Sequence, residues 1–82
     1  MITFSYTIRD QLGIHARPAG IVAKMAQSYP CEITVECKGK TASLKRLLAV
    51  MGMGIKAGDR IRVYADGDTD ISALRDFFMQ NL

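Results

Sequence analysis

The sequence predicts an open-faced α/β sandwich, in which helices cover one face of a β-sheet and solvent covers the other. The first observation is that short stretches of alternating apolar and polar residues are separated by stretches with helical spacing, in the order β-α-β-β-α-β-α. The second is that each strand has one polar face, which is typical of an antiparallel or mixed sheet. With 82 residues, the chain is predicted to form one small domain spanning residues 1–82.

The first strand and the first helix are predicted from a change of period. Residues 2–8 alternate, with Ile2, Phe4, Tyr6 and Ile8 on one face. Residues 16–28 have helical spacing, and their apolar stripe consists of Ala19, Val22, Ala23 and Ala26. Pro30 ends this helix.

The middle of the chain reads as two strands and a short helix. Residues 32–37 alternate, with Ile33, Val35 and Cys37 on one face. A tight turn at 38–40 then leads into a short returning strand at 41–43. Residues 44–52 fit a short helix that ends among glycines.

The last strand and helix complete the order. Residues 60–65 alternate after a turn, and Asp68 or Thr69 is predicted to cap a final helix with Asp70 in its first turn. The buried stripe of that helix is predicted to consist of Ile71, Leu74, Phe78 and Leu82, with Phe77 alongside.

Composition excludes several classes of protein. No apolar run reaches the length of a membrane span and no secretion signal is recognisable, so no membrane insertion is expected. Cys31 and Cys37 lie too far apart on an extended strand for a disulfide, and no zinc-ligand set accompanies them, so we expect neither a metal nor a cofactor. Free thiols favour a reducing compartment, which predicts a cytoplasmic protein. The chain has a net charge of +3, and its basic residues are concentrated in residues 16–57. This distribution fits acidic partners or phosphate and an ordinary solvated surface about equally well.

The stretch "QLGIHARPAG", residues 11–20, contains the only histidine of the chain. His15 is predicted at the start of the first helix, where the backbone amides of Ala16 and Arg17 lack partners within the helix. These amides and the guanidinium of Arg17 form a candidate anion site. Both disfavour additional positive charge, which favours a neutral, nucleophilic imidazole suited to phosphoryl groups.

Other roles for His15 are open at this point. A lone histidine is most often a surface or capping residue, and neither metal ligands nor a nucleophilic serine or cysteine lies beside it in the sequence. A triad assembled over long range stays possible. Because the segment offers no second acid–base group, transfer through the histidine is favoured over hydrolysis.

The segment "GIHARPAG" resembles the active-site signature of the HPr family, the histidine-containing phosphocarriers of the bacterial phosphoenolpyruvate–sugar phosphotransferase system. The likeness continues through "CEITVECKGKTASLK" and "LLAVMGMGIKAGDRIRVYADGDTDISAL" and covers essentially the whole chain. It implies a four-stranded antiparallel sheet covered on one face by three helices. It also implies a phosphocarrier rather than an enzyme, in which Nδ1 of His15 accepts a phosphoryl group from phosphorylated enzyme I and donates it to enzyme IIA proteins.

The resemblance also implies which residues dock the partners. The family uses the first helix and the short middle helix, which here implies Gly20 and Lys24, then Leu47, Leu48 and Met51. The basic residues Arg17, Lys24, Lys45 and Arg46 are expected to surround this apolar patch, on a chain that acts as a monomer. Val50 and Ile55 are expected in the core instead.

One departure from the family concerns regulation. Many members carry a regulatory serine just before the apolar pair, where this sequence has Arg46. The catabolite-control role that depends on that serine is therefore not expected here. Two alternatives to sugar uptake stay open: an HPr-like paralogue in a regulatory, nitrogen-related phosphorelay, and, remotely, a small basic nucleic-acid-binding domain. The sheet face offers only Tyr64 as a stacking platform, beside Glu32 and Glu36, so no nucleic-acid partner is expected.

Overall fold

The computed structural model describes residues 2–82 and contains four strands and three helices in the predicted order. The strands are β1 (Ile2–Thr7), β2 (Ile33–Cys37), β3 (Lys40–Ser43) and β4 (Arg60–Ala65). The helices are α1 (Ala16–Gln27), α2 (Leu47–Met51) and α3 (Ser72–Asn81).

The strands form one antiparallel sheet in the order β1-β4-β2-β3. β4 lies between β1 and β2, and its Val63 is opposite Phe4 of β1 on one side and Val35 of β2 on the other. β1 and β3 are therefore the edge strands. The helices cover one face of the sheet, and this confirms the open-faced sandwich with a four-stranded antiparallel sheet that the resemblance implied.

The core lies between the sheet and the helices, and the buried stripes are those predicted from the periodicity. The inward side chains of β2 and β4 are fully covered, as are Ala19, Val22, Ala23 and Ala26 of α1. In α3, Leu74 and Phe78 are completely buried, and the ring of Phe78 meets that of Phe4 edge to face at 5.9 Å between centroids. Burial of these apolar side chains is the main favourable contribution to folding.

The short helix begins later than predicted. α2 starts at Leu47 rather than at residue 44, because Leu44 directly follows β3 and its backbone is still paired with β2. The backbone N–H of Leu44 donates to the carbonyl of Ile33 at 2.8 Å, and its side chain is 1% exposed. A residue whose amide is paired across the sheet and whose side chain fills the core is not free to enter a helix.

The predicted cap of the last helix is wrong. Neither Asp68 nor Thr69 caps it: the N-cap residue is Ile71, whose side chain is buried, and the helix begins at Ser72. Asp70 precedes the helix instead of lying in its first turn, and its Oδ1 accepts the backbone N–H of Ser72 at 2.9 Å. This hydrogen bond lowers the pKa of the Asp70 carboxyl. A local Asx turn and the burial of Ile71 together decide where the helix starts.

The two cysteines are free thiols. Burial of Cys37 raises its pKa, with a smaller contribution from the Asp59 carboxylate. Within residues 2–82, no group of histidine, cysteine and acidic side chains could hold a metal ion. None of the helices described here is long and apolar enough to cross a membrane.

Candidate functional site

His15 is the N-cap residue of α1. Its backbone is extended, with φ −113° and ψ 176°, and its carbonyl accepts the N–H of Ala19 at 2.9 Å, the first hydrogen bond of the helix. The imidazole does not cap the helix, and its side chain is 35% exposed. The surrounding protein can therefore hold the ring in one orientation, and a partner protein can still reach it from solvent.

The first two amides of α1 provide the donors that the sequence predicted. In the part of the chain from Ile2 to Leu82, the backbone N–H groups of Ala16 and Arg17 are paired with no protein acceptor, as expected for a first helical turn. Pro18, which has no N–H, lies third in the helix and is buried. The positive end of the helix therefore carries free donors next to the imidazole.

The loop before His15 is fixed by the segment that precedes β4. Gly13 has φ +66°, and a β-carbon there would stand 2.2 Å from the carbonyl oxygen of Ile55 and 2.8 Å from the α-carbon of Lys56. The next residue, Ile14, donates its N–H to the same oxygen at 3.2 Å and is buried. Only glycine allows both the positive φ and the close approach to Ile55. Gly13 therefore fixes the position of the loop that carries His15.

Asp10 was not identified as a site residue from the sequence. Its Oδ2 lies 3.6 Å from Nε2 of His15, while its Oδ1 accepts the backbone N–H of Leu12 at 2.9 Å. Asp10 lies just before the segment 11–20, so the fold brings to His15 an acid–base group that the segment itself lacks. The available signal was weak: an aspartate in a turn commonly forms such a local hydrogen bond, but which group its other oxygen meets depends on how the loop closes.

These side chains line a shallow pocket of about 310 Å³. His15, Arg17 and Asp10 provide its charged and polar groups, and residues of α1 and α3 complete it, namely Pro18, Ile21, Phe77 and Asn81. The imidazole and Arg17 thus line the same solvent-open pocket.

α1 and α2 pack against each other, and both expose apolar side chains. Leu48 is 80% exposed and Met51 38%, whereas Leu47 is half-buried against the core. Gly20 faces open space, with no atom within 4 Å of where its β-carbon would lie.

Ile21 is 45% exposed and lies beside these residues on α1, but it was not predicted from the sequence. It lies off the buried stripe, and periodicity does not indicate which exposed positions are used. Val50 and Ile55 are in the core, as predicted.

The four predicted basic residues are not equivalent. Arg17, Lys24 and Arg46 are exposed. Lys45 is not free at the surface, because its Nζ donates to the carbonyl of Tyr29 at 2.8 Å, at the end of α1 opposite His15. This contact satisfies a carbonyl near the C-terminus of the helix and places the Lys45 charge far from the pocket.

The open face of the sheet does not have the character of a nucleic-acid surface. Tyr64 is half-buried there, and the nearby Arg62 lies 4.0 Å from the carboxylate of Glu36. The described residues of this face combine one aromatic ring with an arginine near a carboxylate, whereas single-stranded nucleic acids are bound by several stacking platforms together with basic groups.

Comparisons with known proteins agree with this geometry. The family model described as "PTS HPr component phosphorylation site" matches residues 2–78. The chain is 40% identical over 75 residues to the phosphocarrier protein HPr of Mycoplasma capricolum, an alignment that covers 92% of this chain and 84% of the relative. It is also similar to a solved structure of the histidine-containing phosphocarrier protein of a mycoplasma, with a TM-score of 0.84, 38% identity, and 96% and 89% of the two chains covered.

A further solved structure bears on assembly. It is described as an HPr dimer from Thermoanaerobacter tengcongensis and matches with a TM-score of 0.74 and 29% identity, covering 92% of this chain and 90% of that one. Proteins of this fold have thus been crystallised as dimers, so the expectation of a monomer for this chain is still a prediction.

Proposed function

This chain belongs to the HPr family of phosphotransferase-system phosphocarriers, and on that premise we propose that it carries a phosphoryl group on His15 from phosphorylated enzyme I to enzyme IIA proteins of sugar uptake. As a carrier it is not an enzyme: it is a substrate of one transfer and the donor in the next. The observation that supports this most directly is the half-exposed imidazole beside two unpaired amides and an exposed guanidinium.

The transfer is a displacement at phosphorus. Nδ1 of His15 forms the new N–P bond as the bond between phosphorus and the donor histidine of enzyme I breaks, and the electron pair of that bond returns to the donor. Negative charge is spread over the phosphoryl oxygens throughout. The amides of Ala16 and Arg17 and the Arg17 guanidinium are the groups that stabilise this charge. Their hold must be moderate, because a carrier that bound the phosphoryl group too tightly would not release it.

Both partners are proposed to dock on the same surface. It consists of Gly20 and Lys24 of α1 and of Leu47, Leu48 and Met51 of α2, with Arg46 at the start of α2; Lys45 contributes at its far end. Exposed leucine and methionine side chains adapt to several partners, and the surrounding positive charge favours acidic ones. One shared surface means that the two partners bind in turn. We propose that residues 1–82 do this as one monomeric unit in the cytoplasm.

The test is phosphorylation of the full chain. Incubation with phosphoenolpyruvate and purified enzyme I should add the mass of one phosphoryl group, and His15→Ala should abolish the gain. The group should be lost in acid, as expected of an N–P bond, and should move to a purified enzyme IIA. No mass gain in the wild type, or a gain retained by His15→Ala, would overturn the assignment. Transfer only to an acceptor of a regulatory relay would replace sugar uptake by that role.

A further inference from the structure

We propose that Asp10 is a positioning residue for His15, which holds the ring proton on Nε2 and thereby leaves Nδ1 as the phosphoryl acceptor. This inference rests on the proposed function, since it concerns the same histidine. The observation that points to it is that Oδ2 of Asp10 lies 3.6 Å from Nε2 of His15.

The Asp10 carboxylate is held in place from several directions. Its Oδ1 accepts the N–H of Leu12, its carbonyl accepts the N–H of Gly13 at 2.8 Å, and its own N–H donates to the carbonyl of Leu82 at 2.9 Å. With one carboxylate oxygen committed to the loop, the other is left to face the ring. The 3.6 Å separation is within ion-pair distance but longer than a hydrogen bond, so the carboxylate acts on the ring through its negative charge.

A carboxylate distinguishes the two ring nitrogens because an ionised carboxylate can only accept a hydrogen bond. A neutral imidazole carries one proton, so an acceptor at Nε2 favours the tautomer with that proton on Nε2 and the lone pair on Nδ1. This is the form of the ring that can attack phosphorus through Nδ1. An NH₂ group in the same place would donate to Nε2 and favour the opposite tautomer, and a water, which can donate or accept, would impose no preference.

The same contact acts on the phosphorylated form. When Nδ1 bonds to phosphorus while Nε2 keeps its proton, the ring becomes a cation, and the negative charge of Asp10 offsets it. In the onward transfer the N–P bond breaks and the electron pair returns to Nδ1. Because the proton has stayed on Nε2, the leaving group is a neutral imidazole rather than an imidazolate. Asp10 therefore keeps the ring in the protonation state that both transfers use, without touching the phosphoryl group.

Asp10→Asn is the decisive variant. Asparagine can keep the hydrogen bond to the Leu12 amide through its side-chain oxygen, so the loop is retained, but it then presents an NH₂ group to Nε2. The matched control is Asp70→Asn, because Asp70 makes the same i to i+2 hydrogen bond, to Ser72, before α3 and does not line the pocket of His15.

The first measurement needs no partner. Nitrogen-15 NMR of the imidazole in the full chain reports the tautomer directly. We expect the Nε2–H form in the wild type and in Asp70→Asn, and a shift towards the Nδ1–H form in Asp10→Asn. An unchanged tautomer in a folded Asp10→Asn protein would overturn the proposal. If that variant fails to fold, Asp10→Ser, which also supports an Asx-like turn, should show loss of the tautomer preference and otherwise overturns it.

The second measurement uses phosphorylation by enzyme I. Asp10→Asn should slow the rate of phosphoryl acceptance by about tenfold or more, as expected when the wrong tautomer predominates. Asp70→Asn should leave the rate unchanged. A wild type that is never phosphorylated refutes the proposed function. A phosphorylated wild type with an equally fast Asp10→Asn refutes only the role of Asp10.

Discussion

Gly13 lies against the backbone of Ile55, so close that a β-carbon on Gly13 would overlap the carbonyl oxygen of Ile55 at 2.2 Å. This contact joins the loop that carries His15 to the segment before β4, and the hydrogen bond from Ile14 to the same oxygen reinforces it. The position of the imidazole therefore depends on a residue two places before it that has no side chain at all.

Gly13→Ala should destabilise the protein by about 2–4 kcal/mol, because it combines an unfavourable positive φ with a backbone clash that no side chain can relieve. The measurement is the free energy of unfolding in urea. Gly39→Ala is the matched control: φ is +79° there, but nothing lies within 4 Å of the added carbon, so only the conformational cost of about 1 kcal/mol is expected. Equal losses for the two variants would show that the contact with Ile55 contributes little.

Arg17→Ala should lower the rate constant kcat/KM for phosphorylation by enzyme I roughly 10- to 100-fold, which is the effect of losing one charge-assisted contact of about 1.5–3 kcal/mol. Stability should not change, since the side chain is exposed. Arg75→Ala, on the exposed side of α3, removes the same charge away from the pocket and should keep the wild-type rate. If both variants slow transfer equally, net charge rather than placement of the guanidinium is responsible.

Leu48→Ala and Val50→Ala should separate docking from folding. Leu48 is 80% exposed, so its truncation should weaken partner binding by about 1–2 kcal/mol and change the free energy of unfolding by less than about 0.5 kcal/mol. Val50, two residues away and 2% exposed, should lose about 2 kcal/mol of stability on truncation. Calorimetric titration with enzyme I and urea unfolding measure the two effects. Unweakened binding by Leu48→Ala would exclude this leucine from the docking surface.

Asp59 should contribute to stability in a pH-dependent way. Its pKa is lowered, first by the backbone N–H of Lys56, which donates to Oδ2 at 2.9 Å, and then by the Lys38 ammonium 3.2 Å from Oδ1. A carboxyl whose folded pKa lies below its unfolded value of about 3.9 stabilises the fold above that value, and the contribution is lost as the pH falls through the folded pKa.

The variant that tests this is Asp59→Asn. Its deficit in the free energy of unfolding relative to wild type should be present at pH 6 and should shrink as the pH falls below about 4. Lys38→Gln, which removes one source of the lowered pKa, should make the wild-type carboxyl easier to protonate and move that loss to higher pH. A deficit that is the same at every pH would mean that the charge of Asp59 is not involved.

The elements whose signals are local were predictable. Period-two alternation identified β1, β2 and β4, and helical spacing identified α1 and the buried stripe of α3 that includes Leu74 and Phe78. His15 at the start of α1 was predictable for the same reason, since a helix start depends on a few neighbouring residues. Where local signals compete, prediction failed: Asp68 and Thr69 are good caps, but burial of Ile71 decides the start of α3.

Relationships between distant segments could not be read from the sequence. Local patterns were enough to predict the order of strands and helices, the apolar faces, and a histidine that precedes a helix beside an arginine, because periodicity and helix ends are properties of neighbouring residues. Three contacts emerge only in the folded chain: Lys45 bonds to Tyr29 away from the pocket, Gly13 packs against Ile55, and Asp10 faces His15. Each of these contacts depends on the conformation of a loop or helix end that packs on the core. That packing involves residues far apart in the sequence, so no local pattern predicts it.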